Sequence, residues 1–361
     1  MLKFVDEYRD KNLCFDIASK IKDISKTPFN IMEVCGGHTM SIRKNGIHKL
    51  VGENINFMSG PGCPVCVTAI RDIDKAIALA DLNDVVVCTF GDLFYVPGSS
   101  SSLSKKRADG VDIRIVYSVY DVIEFARKEK DKKFIFISIG FETTVPTTAA
   151  AIIQAKNESV DNFYVFALNK TMPTALRAVI SSPDSKIDAL MCPGHVSTIT
   201  GIDMYRFIVD EFNISCCIAG FEPADILKAV LELTKLYEGK NAKLINAYER
   251  AVLTEGNIKA KNIIDEVFEP CDANWRGVGD IPSSGLKVKA SYKEFDAEES
   301  FQIDVKEQKE ISGCICGEIL IGAKKPVDCS LFGKGCTPEN PIGACMVSSE
   351  GACAAWYKYG M

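Results

Sequence analysis

The chain has 361 residues, two to three times an ordinary domain, with 47% apolar and 25% charged residues; that balance excludes disorder and collagen-like repeats. Its net charge is −6 and its only dense basic cluster is Lys105-Lys106-Arg107, so nucleic acid is not an expected partner. The first residues, MLKFVDEYRDKNL, lack the apolar core of a secretory signal, and no run reaches the roughly 18 apolar residues of a membrane helix, so a cytoplasmic chain with no membrane partner is expected.

From residue 30 to residue 235, short apolar runs alternate with amphipathic stretches. The runs 31–34, 55–58, 85–89, 113–117, 134–139, 163–168, 187–191 and 214–219 are almost continuously apolar, as strands buried on both faces of a parallel sheet must be. Between them, 68–82 places Ile70, Ile73 and Ile77 on one helical face, and 121–130 reads as another helix. Such alternation predicts α/β units with right-handed crossovers. The charge run 127–133 marks the seam between two units, and Gly140-Phe141-Glu142 and Gly220-Phe221-Glu222, each after a predicted strand, suggest a duplication. From 224 to 268 the pattern is helical; a Gly/Pro-rich segment, 270–282, then leads into a region rich in Cys, Gly and Pro. The expected fold is α/β: two Rossmann-like, mostly parallel domains facing a cleft, plus a smaller Cys-rich Fe–S domain. The expected boundaries are 1–130, carrying Cys35, Cys63 and Cys66; 131–235, carrying the loops 140–144 and 192–195; and 236–361, helical and Cys-rich, against which the N-terminal helix packs.

Fifteen cysteines are the anomaly. In a chain expected to stay in a reducing compartment, clustered thiols point to metal ligation or redox chemistry rather than to a disulfide scaffold. Most unusual residues follow predicted strands, where ligands bind in open α/β sheets. Cys63-Pro64-Val65-Cys66 opens a predicted helix, whose unpaired N–H groups favour thiolate. It reads as a redox pair that closes and reopens by exchange, or as half of a zinc site that Cys35 and His38 would complete. Cys35-Gly36-Gly37-His38 sets a thiol and an imidazole on one tight loop, suited to an activated nucleophile or an open transition-metal site. His195, in Cys-Pro-Gly-His, either supports a bound ligand or turns the chain. Glu142 is either a helix cap or a cleft carboxylate holding a proton. Cys14, Cys88, Cys216, Cys217 and Cys271 read as small core residues. Phosphate-loop, dinucleotide, nucleophile-elbow and zinc-protease signatures do not occur.

The tail holds six of the fifteen cysteines: Cys314, Cys316, Cys329, Cys336, Cys345 and Cys353, with Gly and Pro between them. Thiolates converging from bent backbone suit an iron–sulfur cluster better than zinc, although the spacing matches neither common ferredoxin run. Cys314 and Cys316, closest together, read as an accessory redox pair.

These blocks have a familiar combination. Cys35-Gly-Gly-His-Thr, Gly60-Pro-Gly-Cys-Pro-Val-Cys-Val, Gly140-Phe-Glu-Thr-Thr, Cys192-Pro-Gly-His-Val-Ser and the closing Cys336-Thr-Pro…Gly343-Ala-Cys-Met-Val-Ser-Ser-Glu-Gly-Ala-Cys353 resemble the HypD family of NiFe-hydrogenase maturation factors over essentially the whole chain. The resemblance implies two α/β domains and a 4Fe–4S domain. It also implies a scaffold and metallochaperone on which an iron ion acquires cyanide and carbon monoxide, forming Fe(CN)2CO before insertion into the hydrogenase. The implied partners are the small chaperone HypC and the cyanide-delivering HypE with HypF. Carried over by position, Cys35 holds the iron jointly with HypC, Cys63 and Cys66 form the redox pair, and Cys329, Cys336, Cys345 and Cys353 hold the cluster. His38, Glu142 and His195 are further cleft candidates. Met40 stands where the family commonly has histidine, so no ligand role carries to it. Two other readings compete: an Fe–S-dependent disulfide reductase acting through Cys63 and Cys66, and a zinc-stabilised binding module. A monomer is expected in isolation.

Overall fold

The computed structural model describes residue 3, residues 5–303, residue 305 and residues 313–360. Two parallel sheets form its centre. Strands β1 (Phe29–Glu33), β2 (Ile55–Ser59), β7 (Ala189–Pro193), β8 (Ser215–Ala219) and β9 (Leu244–Asn246) make one, in the order β2-β1-β7-β8-β9. Strands β3 (Val85–Thr89), β4 (Ile113–Ile115), β5 (Lys133–Ser138) and β6 (Phe163–Ala167) make the other, in the order β4-β3-β5-β6. Every residue of β3, β7 and β8 is buried, which is why these segments read as unbroken apolar runs. A two-stranded antiparallel ribbon follows, β10 (Phe268–Trp275) with β11 (Gly279–Val288). Among the described residues, no helix is long and apolar enough to cross a membrane.

All eight predicted strands are present, but the expected boundaries fail. The seam at 130/131 falls inside a sheet, because Val85 and Val86 of β3 pair with Lys133 and Phe134 of β5. Likewise β1 lies beside β7, with Ile31 opposite Ala189. The chain leaves the first sheet after β2, builds the second from β3 to β6, and returns at β7, so both units are discontinuous. Local periodicity marks a buried strand without naming its neighbour, which is how contiguous units came to be expected. The N-terminal helix Lys11–Ile24 also departs from expectation: its buried face, Cys14, Ile17, Ala18 and Ile21, packs on the helix Pro223–Glu238 beside β8 rather than on the Cys-rich region. Within 224–268 the predicted helicity is interrupted by β9, and 270–282 lies in the ribbon rather than in a loop. Its prolines are tolerated because a two-stranded ribbon has only edges, and the register shifts between Cys271 and Ala273.

These strand orders fix where a ligand can sit. In the first sheet, successive strands run outward in opposite directions from the β1/β7 junction; in the second they do so from β3/β5. At such a junction the loops leaving the carboxyl ends diverge and open a crevice. The two crevices face each other. The tripeptides 140–142 and 220–222 leave the carboxyl ends of β5 and β8, one in each sheet.

Candidate functional site

A cavity of about 330 Å³ lies between the two junctions. Val34 and Cys35 line it after β1, Pro193, His195 and Val196 after β7, Phe90 to Leu93 after β3, and residues 139–141, 143 and 144 after β5. Gly62, Pro64 and Val65, after β2, close one side, and Glu350 from the Cys-rich tail closes another.

Cys35 is the residue before the helix Gly36–Lys44. Two glycines let three chain segments meet at its backbone. A Cβ on Gly62 would stand 2.4 Å from the Cys35 nitrogen, and one on Gly36 would stand 2.1 Å from the Glu350 carbonyl oxygen. Burial, and then the Glu350 charge, push the Cys35 thiol up to about 12. At neutral pH it therefore keeps its proton until a cation displaces it. Glu350 is itself pushed up by burial and by Asp92, which accepts hydrogen bonds from Ser348 and Ser349 at 3.2 and 3.1 Å. Neither carboxylate is singled out as a site residue in the sequence, where Glu350 falls inside the closing cysteine block and Asp92 on the short helix Gly91–Phe94.

Cys63 and Cys66 form a disulfide on the first turn of the helix Pro64–Val67. Cys63 caps that helix, its sulfur accepting from the Cys66 N–H at 3.1 Å. The bond itself is buried, while Pro64 and Val65 between the two sulfurs face the cavity. With Gly62 pressed on the Cys35 backbone, the thiol and the disulfide belong to adjoining loops.

Of the other candidates, only His195 lines the cavity. His38 is wholly buried, its Nε2 3.2 Å from the Ala219 carbonyl and 3.1 Å from that of Gly220. Burial pushes it down to about 4, so it is neutral. It is a packed residue beneath the site rather than a cleft residue, and with Cys63 bonded to Cys66 the alternative Cys₃His zinc set is not assembled. Phe221 stands between the two imidazoles, with ring centroids 4.6 Å from His38 and 3.9 Å from His195. Sequence reading noted Phe221 only as part of a repeat. Glu142 also lies behind the cavity wall; its Oε1 accepts from the Met172 N–H at 2.9 Å. It thus caps the helix Met172–Ile180 rather than the helix Val145–Asn157 that follows it in sequence. Burial pushes its carboxyl up to about 7.

All six tail cysteines line one further small cavity, together with apolar side chains such as Ile319, Leu331 and Met346. They divide unequally. Cys316 and Cys345 are almost fully buried with their sulfurs 2.7 Å apart, closer than thiolates on two different irons can stand. Cys314, Cys329 and Cys353 are half-buried, and Cys336 is buried, around the same space. Cys316 and Cys345 therefore cannot both be ligands, and the expected set, which contains Cys345 but not Cys316, lines the same cavity as the other tail thiols. Cys316 is hydrogen-bonded to both Cys314 and Cys345, so this thiol of the expected accessory pair has two sulfur neighbours. A donor set made only of sulfur fits a 4Fe–4S cluster, in which each iron takes one thiolate. Among the described residues, no three His, Cys, Asp or Glu side chains are gathered round one point as a single ion requires. The helix Ala344–Val347, which carries Cys345, packs on the disulfide helix Pro64–Val67.

Comparison with known proteins agrees with the motifs. A family model described as "HypD: Hydrogenase formation hypA family" matches residues 12–360. A putative hydrogenase expression/formation protein of Methanocaldococcus jannaschii is 47% identical over 329 residues, covering 91% of each chain. The hydrogenase maturation factor HypD2 of Bradyrhizobium diazoefficiens is 44% identical over 369 residues, 99% of this chain and 97% of the relative. HypD of Escherichia coli is 43% identical over 368 residues, 99% and 98% of the two chains.

Proposed function

The chain belongs to the HypD family of hydrogenase formation proteins, and from that premise we propose that it is the scaffold on which iron acquires cyanide and carbon monoxide. Iron is here the substrate. It is held at Cys35, with the chaperone HypC sharing it and HypE with HypF supplying cyanide. The observation that carries this reading is the place of Cys35: on the wall of a cavity where both sheet junctions open, on a loop adjoining the Cys63–Cys66 disulfide.

The residues divide the work by chemistry. Cys35 gives up its proton as iron binds and presents a soft sulfur donor, suited to iron that carries π-accepting diatomic ligands. Glu350 places negative charge beside it and so favours a bound cation. Burial lowers His195, so at pH 7 it is a neutral imidazole that can hydrogen-bond on the cavity wall. Phe90, Ile139 and Phe141 exclude water from the space. The Cys63–Cys66 disulfide takes up two electrons and two protons when it opens to a dithiol, and returns them when it closes.

Cys314, Cys329, Cys336 and Cys353 would hold a 4Fe–4S cluster, which supplies single-electron transfer when bound. This leaves Cys316 and Cys345 as a second buried pair, next to the helix of the first.

The test is infrared spectroscopy of the protein purified anaerobically with its co-expressed partners. Sharp bands of metal-bound cyanide and carbon monoxide are expected, absent in Cys35→Ser and weakened in Cys63→Ala. Bands that persist in Cys35→Ser overturn the iron site. Wild-type ligand installation in Cys63→Ala overturns the redox role of the disulfide. Protein with no bands at all but with dithiol activity would be a disulfide reductase instead.

A further inference from the structure

Among the described residues, Arg276 is a buried charged side chain with two guanidinium nitrogens that meet no partner. Arg276 sits at the tip of the β10–β11 ribbon and is 4% exposed. Its Nε and Nη2 are shut away from solvent and find no acceptor among the described residues. The backbone holds it there from two sides. Its own N–H donates to the Val67 carbonyl at 2.8 Å, at the end of the disulfide helix Pro64–Val67. On the other side Gly277 lies against Gly317, so closely that a Cβ on Gly277 would stand 1.9 Å from the Gly317 Cα. Beneath the tip, the wholly buried Trp275 donates from Nε1 to Ser284 Oγ at 2.8 Å. The ribbon is thus a wedge that carries a guanidinium between the Cys63–Cys66 helix and the helix Cys316–Leu320.

The titratable neighbours on this side are cysteine thiols, all pushed up by their surroundings. Arg276 lies within electrostatic reach of Cys314, Cys316 and Cys345, and favours the anionic form of each. Guanidinium nitrogens withdrawn from water without an acceptor are costly, so such a group persists where a counter-charge compensates it. A four-thiolate 4Fe–4S cluster is a buried anion, and its sulfurs accept N–H donors that tune its potential.

We propose that Arg276 is the counter-cation of the cysteine-lined cavity, its free Nε and Nη2 groups donating to the sulfur of the cluster bound there. This rests on the cluster reading given above and adds a residue to it. Arg276 is a positioning residue: it favours the more negative, reduced form of the cluster and so raises its reduction potential. It also slows loss of the metal.

Full-length wild type, Arg276→Gln and Arg276→Lys are reconstituted anaerobically with ferrous iron and sulfide. Iron and sulfide per chain, loss to a chelator, midpoint potential and the melting of the cluster-free chains are then measured. Arg276→Gln should titrate at a more negative potential and lose iron roughly tenfold faster, with Arg276→Lys between it and wild type. The cluster-free Gln variant should melt at or above the wild-type temperature, because an unpaired buried charge has gone. Normal uptake with unchanged potential and chelator loss in the Gln variant overturns the inference alone. Failure of wild type to take up iron and sulfide overturns the cluster reading, and the inference with it. If the Gln variant does not fold, Arg276→Lys decides, a wild-type potential there overturning the proposal.

Discussion

Cys35 and the buried glutamates set the pH behaviour of the molecule residue by residue. With its thiol pushed up to about 12, Cys35 should react slowly with iodoacetamide near pH 8, the rate rising roughly tenfold per pH unit below that value. Glu350→Gln removes the neighbouring charge and should speed alkylation at any fixed pH. Mass spectrometry of the Cys35 peptide checks both; an apo thiol that alkylates as fast as a free cysteine at pH 7 contradicts the buried environment. Glu33 and Glu142 are pushed up by burial, to about 8 and about 7. A carboxyl raised in the fold stays protonated there after the unfolded chain has lost its proton. Stability therefore falls as pH climbs from the ordinary glutamate range through those values, and then levels. For Glu142 the shift corresponds to about 3 kcal/mol. Glu142→Gln keeps the oxygen that caps the helix Met172–Ile180, so it should flatten the fall in melting temperature between pH 5 and 7, and an unchanged slope would remove Glu142 as its source. Cys35, Cys63 and Cys66 were legible in the sequence because soft, paired donors in glycine-rich loops are rare. Glu350, Asp92 and Arg276 were not, since their meaning comes from loops hundreds of residues apart.

Elements explain why the loops converge as they do. A strand buried on both faces announces itself by continuous apolar residues, and all eight such runs became strands of the two parallel sheets. Sheet membership is different, because parallel partners are joined through distant crossovers and nothing local distinguishes β2 from β3 as a neighbour for β1. The ribbon was hidden for another reason: Pro270, Pro282 and five glycines and serines between 277 and 285 imitate a loop, and a two-stranded ribbon tolerates them. At the site, the element that matters is the contact between the turn before the helix Pro64–Val67 and the end of β1. Gly62→Ala puts a methyl group 2.4 Å from the Cys35 nitrogen, with only backbone to move. It should cost about 1–3 kcal/mol and lower iron retention along with the urea midpoint. By contrast Gly110→Ala, at a position with no atom within 4 Å but with φ of +96°, should cost stability through strain alone and leave iron retention intact. Equal loss of iron in both variants would show that general destabilisation, not displacement of Cys35, is responsible.

Across the whole molecule, the Cys-rich tail is the part that holds the two sheets at the cavity. Its helix Ala352–Tyr359 packs on the helix Gly36–Lys44 of the first sheet, with the Arg43 guanidinium 3.6 Å from the Trp356 ring centroid. Ser348 and Ser349 bond to Asp92 of the second sheet, and Glu350 presses on Gly36. Cys345 and Cys353 bracket this clamp, so whatever orders those sulfurs also orders the cover of Cys35. With few buried apolar side chains of its own, the lobe should depend on bound metal for local stability. Chelating iron from the anaerobically purified protein is therefore expected to raise amide exchange roughly tenfold or more in residues 344–359 and 36–44, while the buried strand β6 keeps its protection. Hydrogen exchange read by mass spectrometry separates the outcomes. A rise confined to 344–359 would mean that the cluster lobe and the iron-holding loop are stabilised independently. A uniform rise would mean that the metal supports the entire fold. Only the paired response makes the sulfur-rich tail the element that keeps Cys35 in place.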